Sequence, residues 1–313
     1  MKQIKERQKI IIVAGPTASG KSALAVNLAK KIGGEIISAD SRQVYKGMDI
    51  GTGKVTKKET SGIPHHLLSF VSPQKTFTAG QFKTKAQKII KEIWKGGKIP
   101  IICGGTGFYI DSLVYDWQLP EVPPQPELRK QLEKKTTEEL FKIFTNLDPR
   151  RSKLIDKNNR RRLIRAIEIA KFIKKPIPLF DVADYARGQK NKKYDIFFIG
   201  VKKSPAQLKK LIKIRLAKRI SQGMIKEVKT LHKKGVSWKK LDSFGLEYRY
   251  VSKYLLGNIS KKEMEKELAD AIWKYAKRQI TWFKRNPEIH WVTNKRDAFK
   301  LVKTFLNNRL KSS

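Results

Sequence analysis

Residues 15–22 read Gly15-Pro16-Thr17-Ala18-Ser19-Gly20-Lys21-Ser22 and directly follow the apolar run Ile10-Ile11-Ile12-Val13-Ala14. The next residues, Ala23-Leu24-Ala25-Val26-Asn27-Leu28-Ala29, have the composition of a helix. A glycine-rich loop between a buried strand and a helix lets backbone N–H groups and the helix N-terminus surround phosphate oxygens. In such a loop the lysine reaches the outer phosphate, and the last hydroxyl, here that of Ser22, is placed to bind Mg²⁺. The segment therefore predicts a binding site for a di- or triphosphate.

The composition indicates a globular protein with a polyanionic partner. The 313 residues suffice for one large domain or two moderate ones, and 69 basic against 28 acidic residues give a net charge of +41. A compositional drift towards lysine is the alternative, because many lysines stand in scattered pairs typical of solvated helix faces. The arginines are more specific, since Arg160, Arg161, Arg162 and Arg165 form a cluster and a guanidinium suits bidentate contacts with phosphates and bases.

The single cysteine, Cys103, excludes an internal disulfide, and no apolar run reaches the length of a membrane span. The basic residues 1–7 lack the apolar core of a signal peptide. We therefore expect a cytoplasmic protein without a membrane partner.

The hydrophobic pattern predicts an α/β fold. Strands over 10–14, 35–38 and 99–103 alternate with helices that end near 31 and span 79–95, which is the rhythm of a parallel sheet. Prolines follow at 120, 123, 124 and 126, and 128–172 has helical periodicity. A buried strand is predicted over 194–201 and rejoins the sheet. It is followed by helices over roughly 205–234 and 261–285, a strand over 290–292 and a helix from about 297. We expect a P-loop NTPase-like parallel sheet flanked by helices, with 1–118 and 194–313 as its two parts and 119–193 as an all-helical insertion domain.

The strand over 99–103 ends in Gly104-Gly105-Thr106-Gly107 and not in the acidic residue that holds Mg²⁺ in hydrolysing NTPases. This argues against a motor or a switch. Two GTPase-like matches, Asp242-Ser243-Phe244-Gly245 and Asn294-Lys295-Arg296-Asp297, lie far from the loop, and we assign neither.

Two side chains are expected beside the loop at the carboxyl edge of the sheet, where open α/β sheets bind their ligands. Asp40 follows the strand over 35–38, and a carboxylate there can bind Mg²⁺ or accept a proton from a nucleophile. Its alternative role is to cap the next turn. Thr106 comes to the same edge because Gly104 and Gly105 allow close backbone approach.

Several further segments resemble the tRNA dimethylallyltransferase family, also called tRNA isopentenyltransferases, of the bacterial type. They cover nearly the whole chain in the family's order: Asp40-Ser41-Arg42-Gln43-Val44-Tyr45, Met48-Asp49-Ile50-Gly51-Thr52, Pro64-His65-His66-Leu67, Gly104-Gly105-Thr106-Gly107-Phe108-Tyr109, Arg161-Arg162-Leu163-Ile164-Arg165-Ala166-Ile167-Glu168, Arg215, Gly223-Met224-Ile225-Lys226-Glu227-Val228 and Tyr275-Ala276-Lys277-Arg278-Gln279-Ile280-Thr281-Trp282-Phe283. The chain departs from the family at 242–248, where relatives more often carry an Ile-Gly-Tyr-type segment.

The resemblance implies transfer of the dimethylallyl group from dimethylallyl diphosphate to N6 of adenosine 37 of tRNA, with release of diphosphate. It implies Asp40 as the base, Thr106 as the group that orients the amine, and Lys21, Arg215 and Mg²⁺ on Ser22 as stabilisers of the leaving group. The implied contacts with the tRNA anticodon stem-loop are Asp40, Ser41, Arg42, Gln43, Thr106, Arg129, Arg161, Arg162, Leu163, Ile164, Arg165, Lys274, Lys277, Arg278 and Gln279. The insertion is expected to grip the anticodon arm, and the target base to be flipped out of its stack. We expect a monomer.

Three other interpretations remain open at this point. An enzyme that prenylates free AMP, ADP or ATP would share the loop and Asp40, although the charge of +41 and the basic last helix favour tRNA. A small-molecule kinase would need an adenine pocket and an arginine lid, for which the sequence has no clear signature. A pure RNA-binding module would not need Lys21, Ser22 and Asp40 around a phosphate site.

Overall fold

The computed structural model describes residues 7–173 and 194–307. Within these ranges the chain divides into two compact units, one of residues 7–116 and 194–307 and one of residues 117–173. The helices of the first unit are α1 (Lys21–Ile32), α2 (Lys57–Thr60), α3 (Ala79–Lys95), α4 (Gly107–Val114), α9 (Pro205–Ser221), α10 (Met224–Lys233), α11 (Trp238–Ser243), α12 (Leu246–Leu255), α13 (Lys261–Phe283) and α14 (Lys295–Asn307). Those of the second are α5 (Pro126–Glu133), α6 (Thr137–Leu147), α7 (Pro149–Ser152) and α8 (Arg160–Ile173).

A six-stranded parallel sheet forms the centre of the first unit, in the order β3-β2-β4-β1-β5-β6. Its strands are β1 (Gln8–Ala14), β2 (Gly34–Ser38), β3 (His65–His66), β4 (Ile99–Gly104), β5 (Tyr194–Val201) and β6 (His290–Val292). The inner strands are rich in buried Ile and Val, as expected of parallel strands covered on both faces. The predicted fold class, a P-loop NTPase-like parallel sheet with flanking helices, is confirmed.

The register of the sheet brings the ends of three strands into line. Ala14 at the end of β1 pairs with Gly104 of β4, and Ser38 at the end of β2 pairs with Cys103. The residues that follow these strands, including Asp40 and Thr106, therefore meet at one edge of the sheet beside the loop that begins at Gly15.

The hydrophobic clusters that stabilise the first unit include two within the described residues that join the sheet and its following loop to the helices. One joins β1, β4 and β5 to α1 and α14. The other joins α9 to α13 with the segment around Val44, Tyr45 and Met48, which follows β2. This second cluster anchors a long loop, from Asp40 onwards, to helices that come more than 160 positions later in the chain.

The helical region predicted over roughly 205–234 consists of two helices, because Gly223 adopts a φ of 99° that ends α9 and begins α10. The predicted strand over 290–292 is present, and the last helix begins at Lys295. The expected boundary between the insertion and the second part of the core, at 193/194, borders residues 174–193, which lie outside the described ranges.

Candidate active site

The loop between β1 and α1 has the geometry of a phosphate cradle. Gly20 has a φ of 91° and Ala18 a φ of 61°, so the loop turns through the left-handed region before α1 begins at Lys21. The Ser19 hydroxyl is buried and has no hydrogen-bond partner in the part of the chain that the structure describes. A buried hydroxyl costs free energy unless it is hydrogen-bonded, and a phosphate oxygen would accept a hydrogen bond from it.

Three cationic side chains converge on this loop. Lys21 donates a hydrogen bond to the carbonyl of Pro16, 3.3 Å away. Burial lowers the pKa of Lys21, and the positive charges of Arg215 and Arg219 lower it further. Burial and the charge of Arg219 likewise lower the pKa of Arg215 to about 10. Cations held together out of water favour the binding of an anion, which would restore their proton affinity.

Arg219 was missed at the sequence level. Its side chain is 7% exposed, and its Nε has no hydrogen-bond partner among the described residues. The signal was readable, because Arg219 stands one helical turn after Arg215 and therefore lies on the same face of α9. Its Nη1 donates to Glu247, 2.9 Å away, which gives the unusual segment 242–248 a structural connection to the cationic cluster.

Asp40 and Thr106 lie together as predicted. Asp40 Oδ1 accepts hydrogen bonds from the backbone N–H groups of Arg42, at 2.8 Å, and Gln43, at 3.4 Å. Thr106 Oγ1 accepts from the N–H of Ser41, at 3.1 Å, so the hydroxyl proton remains for another acceptor. Asp40 Oδ2 accepts no hydrogen bond from the described residues. Asp40 thus caps a turn with one oxygen, and its other oxygen can accept a further hydrogen bond.

The segment 41–43 is held beside Asp40 by side-chain contacts. Gln43 donates to the carbonyl of Gly53 at 3.4 Å. The charge of Arg42 affects the pKa of both Tyr109 and Tyr275, and that of Asp40 raises both. Both tyrosine hydroxyls therefore lie within electrostatic reach of the segment after β2.

Few protein groups are available for a divalent metal beside the loop. Burial raises the pKa of Cys103 to about 11, and a hydrogen bond from the Ser22 hydroxyl opposes that rise. The lone pairs of the Ser22 oxygen remain free for a cation. Across 7–173 and 194–307, no group of three or more His, Cys, Asp or Glu side chains could form a metal cage. One hydroxyl with a carboxylate nearby fits Mg²⁺, which takes one or two protein ligands and completes its shell with water and phosphate oxygens.

The side chain of Gln279 is buried and does not face a surface that tRNA could contact. It is 6% exposed on α13, and its amide binds backbone at both ends. Its Nε2 donates to the carbonyl of Gly105, and its Oε1 accepts from the N–H of Thr17, both at 2.8 Å. The expected contact of the Gln279 side chain with tRNA is therefore corrected: the side chain is a buried bridge between the phosphate loop and the residue before Thr106.

Lys274, Lys277 and Arg278 are exposed on α13, as expected of a surface that meets an RNA backbone. Lys277 lies over the ring of Trp273, with its Nζ 5.8 Å from the centroid. Arg278 lies over Tyr275, 5.7 Å from the centroid. Such cation–π contacts hold the long side chains in place while their charges face solvent.

In the second unit, two of the predicted tRNA contacts bind a buried carboxylate. Glu168 is fully buried on α8. It accepts two hydrogen bonds from Arg129 at 2.8 Å, one from Arg165 and one from the N–H of Gln125 at 2.7 Å. The arginines remain more than a third exposed, so one side of each guanidinium is still open to solvent.

Other predicted contacts on α8 differ in exposure. Arg161 and Arg162 are exposed, and Ile164 is partly buried. Leu163 is 0% exposed and belongs to the core of the second unit, so its side chain cannot contact tRNA and that expectation is corrected. The sequence motif extends over a full turn of helix, and one position in such a turn faces inward.

We expect Glu168→Gln to destabilise the second unit by about 2 kcal/mol, because a charged acceptor of four hydrogen bonds is lost. Burial alone raises the pKa of Glu168, but the hydrogen bonds from Arg129, Gln125 and Arg165 outweigh it and hold that pKa below the ordinary value. The ionised Glu168 side chain therefore stabilises the wild-type protein at neutral pH, and this stabilisation is lost as the pH falls through the lowered pKa. Hydrogen exchange of the α8 amides measures the effect, and unchanged exchange would contradict it.

No helix within the described ranges is long and apolar enough to cross a membrane.

Comparisons with known proteins show the family to which the chain belongs. A family model described as IPP transferase matches residues 43–286. The tRNA dimethylallyltransferase 2 of Treponema denticola is 43% identical over 296 residues, which are 92% of this chain and 97% of that protein. The tRNA dimethylallyltransferase of Anoxybacillus flavithermus is 39% identical over 286 residues, 91% of this chain and 90% of the relative.

Solved structures extend the comparison to the fold. The tRNA delta(2)-isopentenylpyrophosphate transferase of Staphylococcus epidermidis has a TM-score of 0.71 at 35% identity and covers 97% of this chain and 100% of its own. A eukaryotic dimethylallyltransferase, crystallised acting on tRNA, shares the fold with a TM-score of 0.77 at 24% identity, over 98% of this chain and 81% of its own. Since the family model spans most of the chain and the relatives match it nearly end to end, the chain belongs to the tRNA dimethylallyltransferase family of prenyltransferases.

Proposed function

We propose that this chain transfers the dimethylallyl group from dimethylallyl diphosphate to N6 of adenosine 37 in tRNA. The observation that carries the proposal is the meeting of Asp40 and Thr106 with a cationic phosphate loop at one edge of the sheet. A carboxylate beside a diphosphate pocket suits a reaction in which a nucleophile loses a proton as diphosphate leaves.

Asp40 would act as the general base. The exocyclic amine of adenine is a weak nucleophile, because its lone pair is delocalised into the ring. Its proton becomes acidic as the new bond between N6 and the allylic carbon forms. Oδ2 of Asp40 would take that proton, while Oδ1 stays fixed by the N–H groups of Arg42 and Gln43. The Thr106 hydroxyl, itself positioned by the N–H of Ser41, would hold the amine in line.

The cationic cluster would stabilise the leaving group. As the bond between the allylic carbon and oxygen breaks, its electron pair stays on diphosphate and the carbon becomes cationic. Lys21, Arg215 and the N–H groups of the loop would face the growing negative charge. Ser22, with Asp40 nearby, would hold Mg²⁺, which when bound neutralises charge on the phosphate oxygens.

We further propose that the substrate is the anticodon stem-loop, with the target base flipped out of its stack to reach the site. The exposed cations of α13 would bind phosphates of the loop, and the exposed arginines of α8 would help the helical unit hold the arm. The chain would work as a monomer in the cytoplasm.

To test this proposal, the purified protein is incubated with Mg²⁺, dimethylallyl diphosphate and unmodified tRNA. The RNA is then digested and its nucleosides are identified by mass spectrometry. We expect N6-dimethylallyladenosine at nucleotide 37 only. Parallel reactions contain AMP or ATP as the acceptor. Product on the free nucleotide alone would replace the proposal with nucleotide prenylation, and no prenyl product on any acceptor would refute prenyl transfer.

We expect Lys277→Ala to weaken tRNA binding and to lower the slope of log affinity against log salt by about 1, because one phosphate contact is lost. The KM for dimethylallyl diphosphate should not change. Filter binding over a range of salt concentrations measures the slope. Lys303→Ala is the matched control, since Lys303 is also an exposed lysine but lies on α14. Equal effects of the two variants would show that Lys277 contributes only through the overall positive charge of the protein and not through a specific phosphate contact.

A further inference from the structure

Residues 49–53, which we call the 49–53 turn, are fixed by one carboxylate on their outer side. Glu227 on α10 accepts hydrogen bonds from three successive backbone N–H groups, those of Asp49 at 2.8 Å, Ile50 at 2.6 Å and Gly51 at 3.0 Å. Its fourth donor is the Tyr248 hydroxyl at 2.9 Å. Four donors saturate a carboxylate, so Glu227 has no capacity left for another partner and its function is local.

The carbonyl groups of the same turn bind the cationic cluster. Gly53 O accepts from Arg215 Nη2, and Gly51 O accepts from Arg219 Nη1, both at 3.2 Å. Gly53 O also accepts from the Gln43 amide, which stands three residues after Asp40. The turn therefore connects Glu227 on one side with the arginines and the base-bearing segment on the other.

The turn packs closely against the side chains on both of its sides. A Cβ built on Gly53 would overlap the Nη2 atoms of both Arg215 and Arg219. A Cβ on Gly51 would overlap the ring of Tyr248. The turn thus has no room for a side chain at either glycine, and its backbone lies directly against the Tyr248 ring and the two guanidinium groups.

We propose that Glu227 is a positioning residue, which fixes the 49–53 turn so that its carbonyls aim the Arg215 and Arg219 guanidinium groups at the diphosphate. This role rests on the proposed function, since it assumes that diphosphate occupies the loop. Glu227 touches no substrate, and it acts through backbone carbonyls on the groups that do. No short motif signals such a role, because Glu227 stands more than 170 positions after the turn that it holds.

The experiment measures the binding of inorganic diphosphate with Mg²⁺ by calorimetry, without tRNA or prenyl donor. Glu227→Gln keeps the shape but turns an amide N–H₂ towards two of the four donors. We expect the dissociation constant for diphosphate to rise about tenfold, the value that corresponds to one lost hydrogen bond to a charged group. The KM for dimethylallyl diphosphate should rise in parallel, with the affinity for tRNA unchanged. Glu263→Gln is the control, because Glu263 also accepts a backbone N–H but at the exposed start of α13.

A double-mutant cycle separates positioning from simple loss of structure. We expect Glu227→Gln to add much less to the dissociation constant in an Arg215→Ala background than in the wild type, because most of its effect passes through Arg215. If the two substitutions instead raise the dissociation constant independently, so that their fold-changes multiply, the proposal is overturned. If Glu227→Gln does not fold, Gly53→Ala tests the same link, since its Cβ displaces both guanidinium groups, and unchanged diphosphate affinity in that variant would overturn it.

The outcomes for the two proposals differ. A wild-type protein that binds no diphosphate would contradict the proposed function, and with it the positioning role. A wild-type protein that binds diphosphate, alongside a folded Glu227→Gln variant of equal affinity, would overturn the positioning role alone. A weakened variant of a protein that forms no prenyl product would support the positioning role and refute the proposed transfer.

Discussion

Asp40→Asn should lower the rate of prenyl transfer by roughly 10²- to 10⁴-fold, the range observed for loss of a general base. The asparagine Oδ1 can still accept from the N–H groups of Arg42 and Gln43, so the turn should persist. What disappears is the basic Oδ2, the only oxygen of this side chain without a hydrogen bond in the described structure. Single-turnover transfer with saturating tRNA and dimethylallyl diphosphate measures the chemical step apart from binding.

Asp297→Asn provides the matched control. Asp297 is an exposed aspartate at the start of α14, where its carboxylate accepts a hydrogen bond from the Asn294 amide at 2.6 Å. Exposed substitutions of this kind change stability by about 0.5 kcal/mol or less, so the transfer rate should stay within about fivefold of the wild type. A rate for Asp40→Asn within that same range would remove Asp40 from the role of base. Equal losses of tRNA affinity and of rate would make Asp40 a binding residue.

The parts of the fold that could be predicted from the sequence are those set by local interactions. The apolar run before Gly15 and the glycine-rich loop after it predicted β1 and α1, because both patterns are local in the sequence. Thr78 begins α3 with a capping box to Gln81, and buried Phe82, Ala86, Ile90 and Ile93 follow at helical spacing. By contrast, β3 consists of His65 and His66 alone and exists only because it pairs with Ile36 and Ile37 of β2. No local preference indicates a strand that short.

The candidate site likewise contains some residues that could be predicted from the sequence and others that could not. The loop, Asp40 and Thr106 could be found because each follows a predicted strand, and parallel strands end at one edge. Glu227 and the bridging contacts of Gln279 could not be found, because all their partners except the Tyr248 hydroxyl are backbone groups that lie between 170 and 270 positions away. A backbone N–H leaves no trace in the sequence. The contacts that align the site are thus the ones that only the folded chain reveals.

Lys21→Met should abolish diphosphate binding and yet leave the protein as stable as the wild type, or more stable. Burial and the neighbouring arginines lower the pKa of Lys21, so the folded protein holds this proton less tightly than the unfolded chain does. The charged Lys21 side chain therefore lowers the free energy of unfolding at neutral pH. This destabilisation decreases as the pH rises towards the ordinary pKa of lysine. A methionine of similar length removes the charge without leaving a cavity.

The expected loss in kcat/KM for Lys21→Met is about 10²- to 10³-fold, because a preorganised cation no longer faces the leaving group. Thermal unfolding with and without inorganic diphosphate and Mg²⁺ measures both effects at once: the ligand should raise the melting temperature of the wild type but not that of the variant. Lys30→Met, an exposed position near the end of α1, should respond to the ligand as the wild type does. A Lys21→Met variant that melts at a lower temperature and is still stabilised by diphosphate would contradict the placement of Lys21. The opposite signs of the effects on stability and activity mark Lys21 as a residue that the fold tolerates and that the site requires.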